Sequence, residues 1–412
     1  MRRLLIAFIA LISLVSPHLP VASADFSVSK SFLMAFHACS VSDCKDIRNQ
    51  QVYMAESDDG ANWSLLPGWK SFIGSVPDVI RRGDFLYVYY VGIDNGENLY
   101  VSKYNVASGS FIEKSIVRLS NDFGHFVDPS LSQMDDGKFL LTGLYVEGVQ
   151  PTANAQPPQP NNPATCKANE STCIKTIKTA SEIPGSDGAM FKLDSGARAS
   201  ITLDANTKSA SDPDLFRDDK QWILYVSVGP SVIAYTGTDL NSEFTRKGFV
   251  SQNSGGIPSG FYQMSTGKIW TFVHTDQGQR SVIRRSIHES LTAPVPENAW
   301  VTVISAGSLG LNPDWRVESP GFAQNAKGKN LVLPEPTPTQ TNVPSASQGT
   351  VSPSPSPSSV SVSISPAPTL KPSIAPSATT VVRLKTIICV KGKSSKKVTG
   401  TNPSCPKGYV KK

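Results

Sequence analysis

Five short segments set carboxylates or small polar residues beside prolines: Val76-Pro77-Asp78-Val79, Asp128-Pro129-Ser130-Leu131, Asp212-Pro213-Asp214-Leu215, Ile257-Pro258-Ser259-Gly260 and Glu318-Ser319-Pro320-Gly321. If such carboxylates meet in space, they can do acid–base work. Crowded like charges raise one pKa, so that one carboxyl keeps its proton while another stays ionised. Histidines accompany them. His37 and His274 close two similar runs, Phe-Leu-Met-Ala-Phe-His and Trp-Thr-Phe-Val-His, and His125 stands three residues before Asp128. The simpler role for each aspartate is local, because Asp beside Pro commonly accepts from the backbone N–H groups of a turn. For the histidines the simpler role is packing at a strand end.

The elements that must position these residues are repeated. Each proline segment leads through a polar or glycine-containing turn into an apolar strand: Phe85 to Val91, Phe139 to Tyr145, Trp222 to Val228, Ile269 to His274 and Asn330 to Leu333. Third strands follow at Val52 to Ser57, Leu99 to Ser102, Ile177 to Phe191, Val232 to Phe244 and Val282 to Leu291. The chain opens in mid-unit, with Phe32 to Ala38 as a second strand, and ends on a fresh unit start at Glu318. A closed ring explains both ends if the last inner strand completes the first blade, which leaves no free sheet edge. The spacing predicts an all-β fold, a five-bladed β-propeller over residues 25–333 with ring closure by the C-terminal inner strand. A β-sandwich with accidental repeats is the alternative.

In such a ring the inner strands start at one end of the central channel, and the antiparallel second strands return to that face. This gathers Asp78, Asp128, Asp212, Asp214 and Glu318 around one mouth, joined by His37 and His274, with His125 nearby. Carboxylates and waters there could also hold Ca²⁺, although the acid–base chemistry itself requires no cofactor.

Residues 1–24 read as a secretory signal: Arg2-Arg3, an apolar run from Leu4 to Val15, and Ala22-Ser23-Ala24 before the cut. A retained anchor is the alternative. The six cysteines form three close pairs in sequence, Cys39/Cys44, Cys166/Cys173 and Cys389/Cys405. In an oxidising compartment they read as local loop staples, and no zinc-ligand pattern accompanies them. Residues 147–175 form a Pro-, Asn- and Gln-rich surface insertion. Residues 334–380 form a Pro/Ser/Thr-rich disordered linker, and residues 381–412 a small basic β module of two strands, Val382 to Lys391 and Lys397 to Gly400, stapled by a disulfide. Of 39 Lys and Arg, ten lie from Lys371 onward, whereas all 33 Asp and Glu precede them. The body is therefore acidic and the tail basic, which directs the tail toward an anionic cell-surface polymer (a cell-wall polymer or anionic polysaccharide) or lipid headgroups unless it is simply solvated. No recognition motif for nucleic acid accompanies the charge. The expected protein is a secreted monomer associated with the cell surface.

The five units, together with Ser57-x-Asp59-Gly60-x-x-Trp63 on a third strand, resemble the five-bladed propellers of glycoside hydrolase families 43, 32 and their relatives, over about Phe26 to Pro334. The box is one residue shorter than that of sialidase propellers, and the chain carries no arginine triad of that type. The resemblance implies hydrolysis of extracellular poly- or oligosaccharide by a carboxylate base, a second Asp that orients and tunes, and a Glu acid. Asp128 takes the place of the base and Asp212 that of the tuning residue. Asp78 would meet substrate hydroxyls. Glu318 is the only inner-strand Glu and the one candidate for the acid, one residue earlier relative to its proline than the pattern requires. Asp214 and the three histidines would line the ligand site, and Trp69, Phe123, Tyr262 and Trp315 could stack on sugar rings. Trp63 reads as core. A propeller that binds glycan or a surface partner without cleaving it is the competing reading, and a structural surface protein the third.

Overall fold

The repeats fold into five antiparallel blades around a common channel. The computed structural model describes residues 28–94, 97–120, 124–148 and 162–328 of one compact unit, 1–338, and 385–391, 394–400, 405 and 409–411 of a second, 339–412. The signal segment, the linker, Phe123, the strand expected at Asn330 to Leu333 and residues 149–161 of the insertion lie outside the described residues.

Blade 1 is built from both ends of the propeller. Its inner strand, Arg316–Gln324, pairs with Phe32–Cys39, which pairs with Gln51–Ser57, so the late strand closes the ring. Blades 2, 4 and 5 are four-stranded and begin at Ser75–Arg82, Ser211–Arg217 and Gly256–Gln263. Blade 3 begins at Gly124–Gln133 and is elaborated. Its third strand, Cys173–Glu182, pairs with both Met190–Leu193 and Ala199–Leu203, and Arg118–Ser120 adds in parallel at its edge. The expected strand from Ile177 to Phe191 is thus two strands with a turn between them. Gly185 and Gly188 take positive φ in that turn, where a side chain would be strained.

The second strands are continuous apolar runs because each is covered on both sides by neighbouring blades. Phe32–Cys39 and Trp222–Ser227 are buried at every position. Blades 2 and 3 are also joined by charge. Arg82 makes a bidentate pair with Glu182, at 2.7 and 3.1 Å, and its guanidinium lies 4.0 Å from the Phe139 ring centroid.

Each inner strand carries one irregularity at the same place. Val76, Asp128, Asp212, Ile257 and Ser319, each directly before a proline, have φ of 40°, 55°, 44°, 48° and 55°. Each lies at a break in register with the adjacent strand. These are bulges in a conformation that costs about 1–3 kcal/mol for a non-glycine residue. Five such positions ringing one channel concentrate strain where the carboxylates lie.

In the second unit, Lys385–Lys391 pairs with Ser394–Gly400 and with a third short strand, Val410–Lys411, that the sequence reading did not include.

Candidate functional site

The residue just after each proline decides how the blades join. Asp78 Oδ2 accepts the N–H of Leu131 at 2.6 Å, and Ser130 Oγ accepts that of Leu215 at 3.1 Å. Asp214 Oδ2 accepts the N–H of Gly260 at 2.7 Å, and Ser259 Oγ accepts that of Phe322 at 3.1 Å. Each bond runs from one inner strand to the equivalent residue of the next blade. At the fifth seam the residue is Gly321, and a Cβ there would come within 2.6 Å of Asp78. Blade 1 therefore packs directly against blade 2, and the N–H of Val79 turns to Asp78 Oδ1 at 2.8 Å.

This arrangement fixes the role of two expected ligand residues. Asp78 is 5% exposed and Asp214 8%. Both oxygens of Asp78 are held by backbone amides, and Asp214 also accepts from Ser130 Oγ at 3.0 Å. Asp78 is not free to meet substrate hydroxyls, because it is buried and each of its oxygens is bonded within the ring. Burial, and then the charge of Asp214, raise the Asp78 carboxyl well above the usual range; burial pushes Asp214 up to about 7.

A pH effect follows with a definite sign. Asp214 holds its proton in the folded state up to about pH 7 but loses it near its ordinary value of about 4 when unfolded. The folded state therefore binds more protons between those values, and its stability falls as pH rises through that window, by on the order of 1 kcal/mol per unit. Asn at 214 can accept the Gly260 N–H through its carbonyl oxygen and donate to Ser130 Oγ through its amide, without titrating. Asp214→Asn should make this part of the stability–pH curve less steep, with the slope left by Asp78, Asp128 and Asp212 remaining, as read by denaturant unfolding at about pH 5 and about pH 8. An unchanged slope would contradict the assignment.

Asp78, Asp128, Asp212 and Asp214 line one small cavity with the five prolines, Ser130 and Ser319. Its free space is about 20 Å³, room for roughly one water and far short of a sugar ring. A sugar would have to sit above this floor, at the mouth. Asp128 Oδ2 accepts the backbone N–H of Asp212 at 3.3 Å. Burial first, and then the charge of Asp212, hold the Asp128 carboxyl well above its usual range. Burial also raises Asp212, against the pull of Ser211, His274 and His37.

Glu318 occupies the opposite electrostatic condition. His37 Nδ1 accepts the N–H of Val76 at 3.3 Å, which leaves Nε2 to carry a proton toward Glu318 Oε2, 3.4 Å away. His274 Nε2 lies 3.9 Å from Glu318 Oε1 and 3.4 Å from Asp276 Oδ1. Ser281 Oγ donates to Glu318 Oε1 at 3.1 Å, and Arg316 bridges Glu318 and Asp276. Cys44 Sγ, in the Cys39–Cys44 disulfide, lies 3.9 Å from Glu318 Oε1. Burial pushes the Glu318 carboxyl up, but His37, His274 and Arg316 outweigh it and hold Glu318 ionised, well below its usual range. A carboxylate so held has no proton to give at neutral pH, so the acid role that the resemblance implied for Glu318 does not fit its surroundings.

The other expected residues divide. His37 and His274 meet at Glu318. His125 sits on the Asp128 strand opposite Val146, its Nδ1 buried without a hydrogen-bond partner among the described residues, and burial lowers its pKa. Trp69 is not presented for stacking; it packs against Phe72, Tyr104 and Phe111 and donates its indole N–H to the Val52 carbonyl at 3.1 Å. Trp315 packs on the core beside Arg316, and Tyr262 lies near the far end of its inner strand, opposite Ile269. Trp63 is core, edge-on to Phe272 and Phe322. Cys166–Cys173 is formed, and Cys405 is disulfide-bonded. Among the described residues no group of three or more His, Cys, Asp or Glu is placed to hold a metal ion.

Arg316, Asp276 and Ser281 were not anticipated. Arg316 and Asp276 each stand two residues from an expected site residue, Glu318 and His274, and the period-2 alternation of a strand puts such neighbours on one face.

No family model matches the chain, and no curated protein matches it. Solved structures are similar to it. They include the GH43_1 enzyme from Xanthomonas citri complexed with xylose, 15% identical over 60% of this chain and 83% of that one, with a TM-score of 0.43. A thermostable family-43 glycoside hydrolase is 14% identical over 62% of this chain and 88% of its own, at 0.40. Cellvibrio cellulosa α-L-arabinanase is 12% identical over 68% and 93%, at 0.38. This chain is a five-bladed propeller. At such identities and scores these neighbours assign neither an activity nor a ligand to it.

Proposed function

We propose that the propeller hydrolyses glycosidic bonds in an extracellular poly- or oligosaccharide bound at the mouth above the channel floor. The observation that carries this reading is the placing, around one channel, of a half-buried carboxyl beside another and a carboxylate bound by Arg316 with two histidines within 4 Å. Glycoside hydrolysis needs that division: a protonated carboxyl gives its proton to the leaving oxygen, while a carboxylate activates water or attacks the sugar. In this reading Asp128 is the acid and Glu318 the carboxylate, the reverse of the roles implied by resemblance. Asp212, whose N–H holds Asp128, is the tuning residue. His37 orients Glu318 through the Val76 amide. The scheme routes no step through a cofactor or a metal. The leader and the two cystines of the propeller support export to an oxidising compartment, where we propose that the chain acts as a monomer.

Binding without cleavage is the second reading, and one observation favours it: Arg316 lies on Glu318, and so close a cation weakens a carboxylate as a base. Both readings are tested by incubating the mature chain with a panel of plant, algal and microbial polysaccharides. Product sugars are followed by mass spectrometry, and retention is followed in polysaccharide-loaded gels. Product release supports hydrolysis. Retention on one polymer with no product supports binding alone, and neither response across the panel rejects a carbohydrate ligand.

A further inference from the structure

We propose that the C-terminal unit is a lipid-surface module that binds the headgroups and outer interface of an anionic bilayer. The sequence from Lys385 to Lys412 contains eight lysines and no Asp or Glu. Its sheet has the order Ser394–Gly400, Lys385–Lys391, Val410–Lys411. Register distributes the side positions. Ile388 is opposite Lys397, and Val390 is opposite both Ser395 and Val410. Directly opposed residues share a face, and so do residues two apart on one strand, so positions 388, 390, 397 and 410 fall on one face. Positions 389, 396 and 411 fall on the other.

Ile388 is 46% exposed and Val410 67% exposed. Two open aliphatic side chains on one face, in a sheet with lysines and no acidic counterweight, want two things at once: negative charge and a place for hydrocarbon. A soluble acidic polysaccharide offers only the charge. The interface of an anionic bilayer offers both.

The test is co-sedimentation of the full mature chain with vesicles of phosphatidylcholine alone or mixed with phosphatidylglycerol. The expected result is partition onto the mixed vesicles at least about tenfold stronger than onto phosphatidylcholine, weakened by salt. Ile388→Ser with Val410→Ser should weaken it about tenfold at unchanged charge. Lys396→Gln with Lys397→Gln should weaken it similarly. The two pairs are independent, so an altered far-ultraviolet circular dichroism spectrum in one leaves the other to decide. No preference for phosphatidylglycerol would overturn the proposal. So would partition indifferent to Ile388 and Val410 but abolished by dextran sulfate, which would mark a site for a soluble polyanion.

Discussion

Asp128→Asn is expected to lower glycosidic turnover by on the order of a thousandfold while leaving binding of the polymer largely intact. Asn is nearly isosteric and can still accept the Asp212 N–H through its carbonyl oxygen, so the floor of the channel should keep its form. What it cannot do is deliver a proton. The pH dependence adds a sign. Burial and the charge of Asp212 raise the Asp128 carboxyl, so the active, protonated form persists well above the usual carboxylate range and is lost as pH rises. Glu318 is held ionised, so its protonation limits activity only at strongly acidic pH. Wild-type activity should therefore be sustained into acid and decline on the alkaline side, and the residual activity of Asp128→Asn should lack that decline. Initial rates across a pH series decide it. A variant as fast as the wild type would remove Asp128 from the chemistry.

Glu182→Ala is expected to destabilise the propeller by about 3–5 kcal/mol, the cost of breaking a buried ion pair from one side. Glu182 has no exposed side-chain surface, and four donors converge on it: two from Arg82, the N–H of Phe139 at 2.9 Å and the N–H of Gly188 at 2.7 Å. Removing the carboxylate leaves Arg82, only 8% exposed, with Asp187 as its remaining anionic partner. It also strands two buried amides. Chemical denaturation of the mature chain measures the effect, and Glu182→Gln, which keeps one acceptor oxygen, should fall between. A loss below about 1 kcal/mol would mean that the network adds nothing net to stability.

The two predictions rest on features that were unequally legible. Repetition showed the architecture: proline segments at regular intervals and a chain that begins in mid-unit imply a closed ring, and Arg316–Gln324 does pair with Phe32–Cys39. The same repetition gathered Asp78, Asp128, Asp212 and Asp214 around one cavity. It could not separate their roles, because those depend on what each oxygen touches across a blade seam. Asp78 and Asp214 hold amides of the next blade, residues more than forty positions away in the chain. Charge state was equally hidden. Glu318 is named by its strand position, yet its ionisation comes from His37 at the other end of the propeller sequence and from Arg316 beside it. Arg316 was within reach of the period-2 rule. Glu182 was not, since its partner Arg82 lies on another blade. Trp69 misleads for a related reason: a tryptophan in a loop reads as available until the aromatic side chains from neighbouring strands cover it.

The measurement that tests the central claim most directly is a time course of reducing-end release from a polymer that the mature chain retains, with wild type and Glu318→Gln run side by side. The account predicts steady release by the wild type and a loss of at least about a hundredfold in the variant, with retention of the polymer unchanged. Release undiminished in Glu318→Gln, or retention by both proteins with no release by either, would contradict it.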